Sequence, residues 1–410
     1  MAVTATSTAK TATRFSLVAL ASLLIALLTA FALVTGCSNG ESTSAAPEAE
    51  PDTPLAASAY MEEAAEQVAA LSLEEKVAQL FIIRPEDIAV EEHMTTPSSA
   101  TLRGLTLRAP GGICYFAENF QSPDQARKLL NYLQQAASSS TGLPLLQCVD
   151  EEGGEVSRIA NNPNMNVQNV GTAESIGETG STQAAADAAS TMCVYLHDLG
   201  FNLDFAPVAD IADGEDNTIG PRAFGTNAQS VSPLVAAQVQ AFDAAGILCS
   251  AKHFPGVGGV SGDSHEGLIT TKATLADMQS SEFLPFRAAI EAGVPMVMVG
   301  HIACPNVTGD KLPASLSPEM IRLLREELAF EGVIVTDSLE MDAITESYTD
   351  AEAAILALLA GADLLLLPSD YEAAYQGVLE AVKDGTLDEA DIDAHVQRVI
   401  AMKLAQAARS

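Results

Sequence analysis

Positive charge is scarce in this 410-residue chain: 20 Lys and Arg stand against 54 Asp and Glu, a formal net charge of -34. A phosphate backbone approaching such a surface meets a repulsive field, which excludes nucleic acid as a partner. None of the six cysteines forms a CxxC pair, so a zinc-thiolate site has no support. With Cys37 set apart, an odd five remain: Cys114, Cys148, Cys193, Cys249 and Cys304. Several lie inside apolar runs such as Ile113-Cys114-Tyr115, where a thiol behaves as a small hydrophobe. Beyond about Ser58 there is no Pro- or Ser-rich linker and no fixed-period repeat, which excludes a solenoid and argues for one domain over 58–410. Apolar residues are plentiful, 48% against 18% charged, too many for a disordered chain and enough for a large core.

Residues 1–36 carry Lys10 and Arg14 but no acid, then an apolar run from Phe15 to Leu33 that ends in Val34-Thr35-Gly36-Cys37. This is the pattern of an export signal, and a small residue directly before Cys resembles a bacterial lipobox, where the cysteine is lipidated. The expectation is a lipoprotein anchored through Cys37 on the outer side of a bacterial membrane, with an uncleaved membrane-spanning anchor as the alternative. Residues 37–57 then turn to Ser, Ala, Pro and acids, a composition that buries too little apolar surface to offset chain entropy and reads as a flexible acidic tether.

Within 58–410, eight short apolar runs alternate with helix-like segments rich in Ala, Leu and Glu: Ala78 to Ile83, Gly112 to Phe116, Leu143 to Val149, Phe201 to Val208, Ile247 to His253, Val294 to His301, Val333 to Asp337 and Asp363 to Leu367. Runs buried on both faces, each followed by a helix, are what parallel strands with crossover helices require. Eight such units suffice to close a (β/α)8 TIM-type barrel, and a doubly wound open sheet is the rival arrangement. Ser72-Leu73-Glu74-Glu75 has capping-box spacing and should start a short helix before the first run.

Polar residues stand at the ends of these runs: Asp150, Asp210, Lys252-His253, His301 and Asp337. In a barrel those ends converge on one mouth, where side chains are free of the packing that demands Val, Ile and Leu below. The segment after the fifth run, Lys252-His253-Phe254-Pro255-Gly256-Val257-Gly258-Gly259-Val260-Ser261-Gly262-Asp263-Ser264-His265, has four glycines and a proline and reads as a mobile loop. Asp263 and His265 are two apart there, so the carboxylate can accept from one imidazole nitrogen and leave the other for proton transfer; a plain surface turn would have the same composition.

At this stretch the chain resembles the family-3 glycoside hydrolases, and more closely their single-domain bacterial β-N-acetylglucosaminidases. Other matching stretches are Leu73-Glu74-Glu75-Lys76-Val77, Asp150-Glu151-Glu152-Gly153-Gly154 with Ser157-Arg158, Ala206-Pro207-Val208-Ala209-Asp210, Gly220-Pro221-Arg222-Ala223-Phe224-Gly225, and Val335-Thr336-Asp337-Ser338-Leu339-Glu340-Met341. The resemblance implies Asp337 as a catalytic nucleophile that forms a covalent glycosyl-enzyme, and His265, oriented by Asp263, as general acid/base. This departs from the usual carboxylate pair of retaining glycosidases. It also implies that Asp150, Arg158, Arg222, Lys252 and His253 hold the sugar. No cofactor or metal is implied, and the partner is a glycan bearing N-acetylglucosamine, bound by a monomer. The expectation is a barrel without the C-terminal sandwich domain that supplies a Glu acid/base in larger members, which favours the loop histidine. Where many members have His, Asp and Thr, this loop has Val257, Gly259 and Val260.

Two chemical arguments agree with those roles. An imidazole titrates near roughly 6.5, so it can protonate a leaving oxygen without the upward shift a carboxylic acid needs. Arg158, Arg222 and Lys252 would favour an ionised Asp337. The expected activity is a retaining exo-β-N-acetylglucosaminidase acting on peptidoglycan fragments. Within the family the alternatives are phosphorolysis, β-glucosidase or xylosidase specificity, and chitin-derived sugars as substrate. Outside it they are a metal-dependent amidohydrolase using His253, His265, His301 and Asp337, or a glycan-binding lipoprotein without catalysis.

Overall fold

A computed structural model of the chain describes residues 57–89, 93–212, 219–260 and 267–409. The export signal and lipidation site at Cys37, the tether as far as residue 56, and Asp263 and His265 lie outside the described residues.

Each of the eight apolar runs contains a strand: β1 (Phe81–Ile83), β2 (Gly112–Cys114), β3 (Leu146–Val149), β4 (Leu203–Asp204), β5 (Leu248–Phe254), β6 (Met296–Val299), β7 (Val333–Thr336) and β8 (Leu365–Leu366). They form one sheet in the order β8-β1-β2-β3-β4-β5-β6-β7, with every pair parallel. A parallel bridge between Val335 and Leu364 brings the two ends together, so the sheet closes on itself as a (β/α)8 barrel rather than the open, doubly wound alternative. Alternation along the strands builds two layers of core. Ile82, Cys114, Leu146, Cys148, Leu203, Phe205, Met296, Met298, Val333 and Val335 pack together inside the barrel. Their strand neighbours Phe81, Ile83, Ile113, Val149, Val297, Val299 and Ile334 pack outward against the helices. Both faces are buried, which is why the runs read as continuous apolar stretches.

Local signals start and stop the helices. Ser72 forms the expected capping box with Glu75 ahead of β1. Ser122 caps the helix Pro123–Thr141, which has Pro at its first position and ends at Gly142 with φ 74°, a left-handed conformation that glycine adopts without a Cβ clash. All five described cysteines are free and buried, and burial raises the thiol pKa of each. Among the described residues no helix is long and apolar enough to cross a membrane.

The last helix, Glu389–Ala407, inserts Val399 and Met402 into the interior core. Beside them Lys403 is 1% exposed, with Nζ donating to Gln79 Oε1 at 2.8 Å. Burial lowers its pKa from the ordinary lysine range to about 7. Between that value and about 10.4 the unfolded chain holds a proton that native Lys403 has lost, so this residue makes stability rise with pH across the window. Thermal unfolding of wild type and Lys403→Met across pH 7 to 10 should give a difference that grows in favour of wild type as pH rises. Parallel curves would show that Lys403 stays charged in the fold.

Candidate active site

The strand ends set out the site. Directly after β3 the chain turns into a short hairpin, Glu151–Gly153 paired with Val156–Ser157, which carries Glu152 and leads to Arg158. Glu151 anchors this hairpin from below: its carboxylate accepts from Ile159 N (2.8 Å), Ala160 N (2.9 Å) and the Tyr195 hydroxyl (2.8 Å). Its own backbone N–H donates to Asp204 Oδ1 at 2.9 Å. Burial raises the pKa of both carboxyls despite those hydrogen bonds.

Above this support lies a network of buried charges. Lys252, at the end of β5 and 2% exposed, donates to Asp150 Oδ1 at 2.6 Å and approaches Glu152 Oε1 at 2.7 Å. Arg222 meets Glu152 through two parallel contacts, Nε to Oε2 and Nη2 to Oε1, each 2.8 Å, the geometry a guanidinium fork gives a carboxylate. Burial opposes the ionised state of Glu152, but Lys252 and Arg222 outweigh it and hold the carboxyl well below its usual range. The two cations are held well above theirs, again against the effect of burial, chiefly by Asp150 and Glu152 for Lys252 and by Glu152 for Arg222.

His253, joined to Lys252 by a cis peptide, has Nδ1 2.7 Å from Asp210 Oδ2. An ionised carboxylate only accepts, so Nδ1 carries the proton and Nε2 is left toward Arg222 Nη2, 3.5 Å away. His301, at the end of β6, lies with Nε2 2.8 Å from the Ser338 carbonyl and Nδ1 2.7 Å from Ser315 Oγ. The carbonyl fixes the proton on Nε2. Asp337 follows β7, and its Oδ1 accepts from Ser338 N at 2.8 Å. Burial would raise the Asp337 pKa; His253, His301, the Ser338 N–H and Lys252 together bring it below the usual carboxylate value. Sequence reasoning looked to Arg158, Arg222 and Lys252 for this effect. The structure gives the larger part to two histidines, because Arg222 is turned onto Glu152.

Asp150, Arg158, Arg222, Lys252, His253 and Asp337 all line one cavity of about 300 Å³, at the small end of sites for small ligands. Phe116 forms another wall, with the Arg84 guanidinium 4.0 Å and that of Arg158 5.4 Å from its ring centre. Arg84 is in turn fixed by Glu340. Val257 stands in the wall, so an apolar surface faces the cavity there. Among the described residues no group of three or more His, Cys, Asp or Glu side chains is arranged to hold a metal ion. The sequence offered no role for Glu152, although it lies inside a quoted motif. Asp210 was visible as a polar strand end inside a matching stretch, and His301 as a polar strand end and as a ligand in the metal-dependent alternative. Their functions depend on partners 43 to 100 positions away along the chain or on backbone atoms, which no spacing rule reveals.

A closed parallel barrel with ion-paired acids and bases gathered at the C-terminal ends of its strands defines an enzyme of the TIM-barrel class. Residues 72–402 match the glycosyl hydrolase family 3 N terminal domain. The chain belongs to that family and is a glycoside hydrolase. It is 33% identical over 395 residues to Beta-hexosaminidase LpqI of Mycobacterium tuberculosis, covering 93% of this chain and 96% of that protein. It is 35% identical over 319 residues to Beta-hexosaminidase A of Pseudoalteromonas piscicida, where the match covers 72% of this chain and about half, 53%, of the relative. Among solved structures, a family 3 β-N-acetylglucosaminidase from Paenibacillus sp. superposes with a TM-score of 0.77 at 37% identity, over 83% of this chain and 64% of that one.

Removing one member of a buried ion pair leaves the others uncompensated, at a cost of about 3–5 kcal/mol. Glu152→Gln should therefore lower the unfolding free energy by an amount of that order in denaturant titration and raise KM for substrate. Unchanged stability would mean that Lys252 and Arg222 do not need Glu152.

Proposed function

We propose that this protein is a retaining exo-β-N-acetylglucosaminidase that removes terminal β-linked N-acetylglucosamine from peptidoglycan fragments, working as an exported monomer held to a membrane by lipid on Cys37. The observation that carries the activity is Asp337. It is an ionised carboxylate lining a sugar-sized cavity, with Lys252, Arg222 and His253 fixed around it. The similarity to beta-hexosaminidases along nearly the whole of LpqI supports the choice of sugar.

In the first step an Asp337 carboxylate oxygen attacks the anomeric carbon as the bond to the leaving oxygen breaks, and the His265 imidazolium, oriented by Asp263, gives that oxygen its proton. In the second step His265 takes a proton from water, the water oxygen bonds to the anomeric carbon, and the bond to Asp337 breaks. Two inversions at one carbon retain the β configuration. Asp150, Arg158, Arg222, Lys252 and His253 present donors and acceptors to the hydroxyls and the N-acetyl group. The positive field that keeps Asp337 ionised also keeps it nucleophilic.

Product stereochemistry read by NMR from an aryl N-acetyl-β-glucosaminide should show the β anomer first, and α anomer as the first product would contradict the two-step mechanism. Asp337→Ala should lose turnover by orders of magnitude while N-acetylglucosamine still binds. Unchanged turnover would remove the nucleophile assignment.

A further inference from the structure

We infer that Asp210 is a positioning residue that sets two parts of the site together: the ring of His253 and the root of the loop on which Asp263 and His265 follow. The inference rests on the proposed role of His265 as acid/base. Asp210 lies six residues past β4 and is 1% exposed. Its Oδ2 accepts from the backbone N–H of His253 at 3.1 Å and lies 2.7 Å from His253 Nδ1, while its Oδ1 accepts from Val257 N at 2.8 Å. One buried carboxylate thus spends one oxygen on the sugar-side histidine and the other on the chain four residues later, six positions before Asp263. The next residue continues the clamp. A Cβ placed on Gly258 would come 2.1 Å from the Ile211 carbonyl oxygen, so the two backbones are in direct contact and only glycine fits between them. Gly256 N also donates back to His253 O at 2.8 Å, folding 253–256 into a turn under the same carboxylate.

The chemical consequence follows from acceptor count. Both oxygens of a carboxylate accept, whereas a carboxamide has a single acceptor oxygen and turns an N–H₂ toward the remaining donor. Asp210→Asn can therefore keep either the His253 or the Val257 contact, and must oppose two donors at the other. Proton donation to a leaving oxygen requires hydrogen-bond reach, and displacement of about 1 Å can cost a hundredfold in rate. A shifted loop root should thus weaken acid catalysis in a way that loss of sugar binding does not.

Leaving groups separate the two. An activated 2,4-dinitrophenyl aglycone departs without protonation, while a phenyl aglycone needs the acid. For Asp210→Asn, kcat/KM on phenyl N-acetyl-β-glucosaminide should fall at least about tenfold further than on the dinitrophenyl substrate, a fraction of the 10²–10⁴ that general acids typically contribute. Gly258→Ala, which disturbs the loop root without removing any His253 partner, stands in where Asp210→Asn does not fold at the assay temperature. His265→Ala is measured alongside. If His265→Ala is selective for the poor leaving group while the clamp variant loses equally on both substrates, Asp210 acts only through sugar binding or stability and the inference is overturned. If His265→Ala itself shows no selectivity, the acid/base assignment falls and the inference falls with it.

Discussion

A full positive charge sits at the end of β5 with almost no access to water, and the mouth of the barrel is organised around keeping it there. An isolated ammonium in such a place costs several kcal/mol, so Lys252 stays protonated only because Asp150 and Glu152 stand within 2.7 Å. Both carboxylates come from the segment after β3, so the hairpin there has to be held in place, and the buried Glu151 does this through two backbone N–H groups and the Tyr195 hydroxyl. Glu152 is shared with Arg222, which draws the segment after β4 into the same network. Three strand ends are thereby fixed relative to one another by charge rather than by packing.

That arrangement decides what Asp337 can be. A carboxyl enclosed at the barrel mouth would ordinarily take up a proton; here the surrounding imidazoles, the Ser338 N–H and Lys252 favour the anion. The cations that line the cavity differ in how far they are spoken for. Arg222 and Lys252 are engaged by the carboxylates of Asp150 and Glu152, whereas the buried Nε of Arg158 has no protein partner among the described residues. The parallel barrel supplies the common frame, since all its strands deliver their C-terminal residues to one side.

Much of this was legible in the amino-acid order. The eight apolar runs mark the eight strands because a strand buried on both faces must be apolar at successive positions, and Val333-Ile334-Val335 in β7 is such a case. Asp337, Lys252 and His253 stand out because each ends such a run with a charged or polar group where the core stops. The count of eight units pointed to a closed barrel but could not by itself exclude the open sheet; what excludes it is Val335 meeting Leu364 across the helices Asp342–Thr345 and Asp350–Ala360. Glu152 was hidden for a related reason. In a chain with 54 acids, one more carboxylate in a motif signals nothing until its two cations, 70 and 100 positions onward, are seen to converge on it. Asp210 was equally hidden, because two of its three donors are backbone N–H groups, which every residue except proline possesses.

The central claim is that the Asp337 carboxylate becomes covalently joined to the sugar. A fluorinated N-acetylglucosaminyl fluoride loads a retaining enzyme faster than water releases it, so the trapped species can be digested and mapped by mass spectrometry. The account predicts stoichiometric label on the peptide containing Asp337 and none on the Asp337→Ala protein; label on another carboxylate, with Asp337 unmodified, would contradict it.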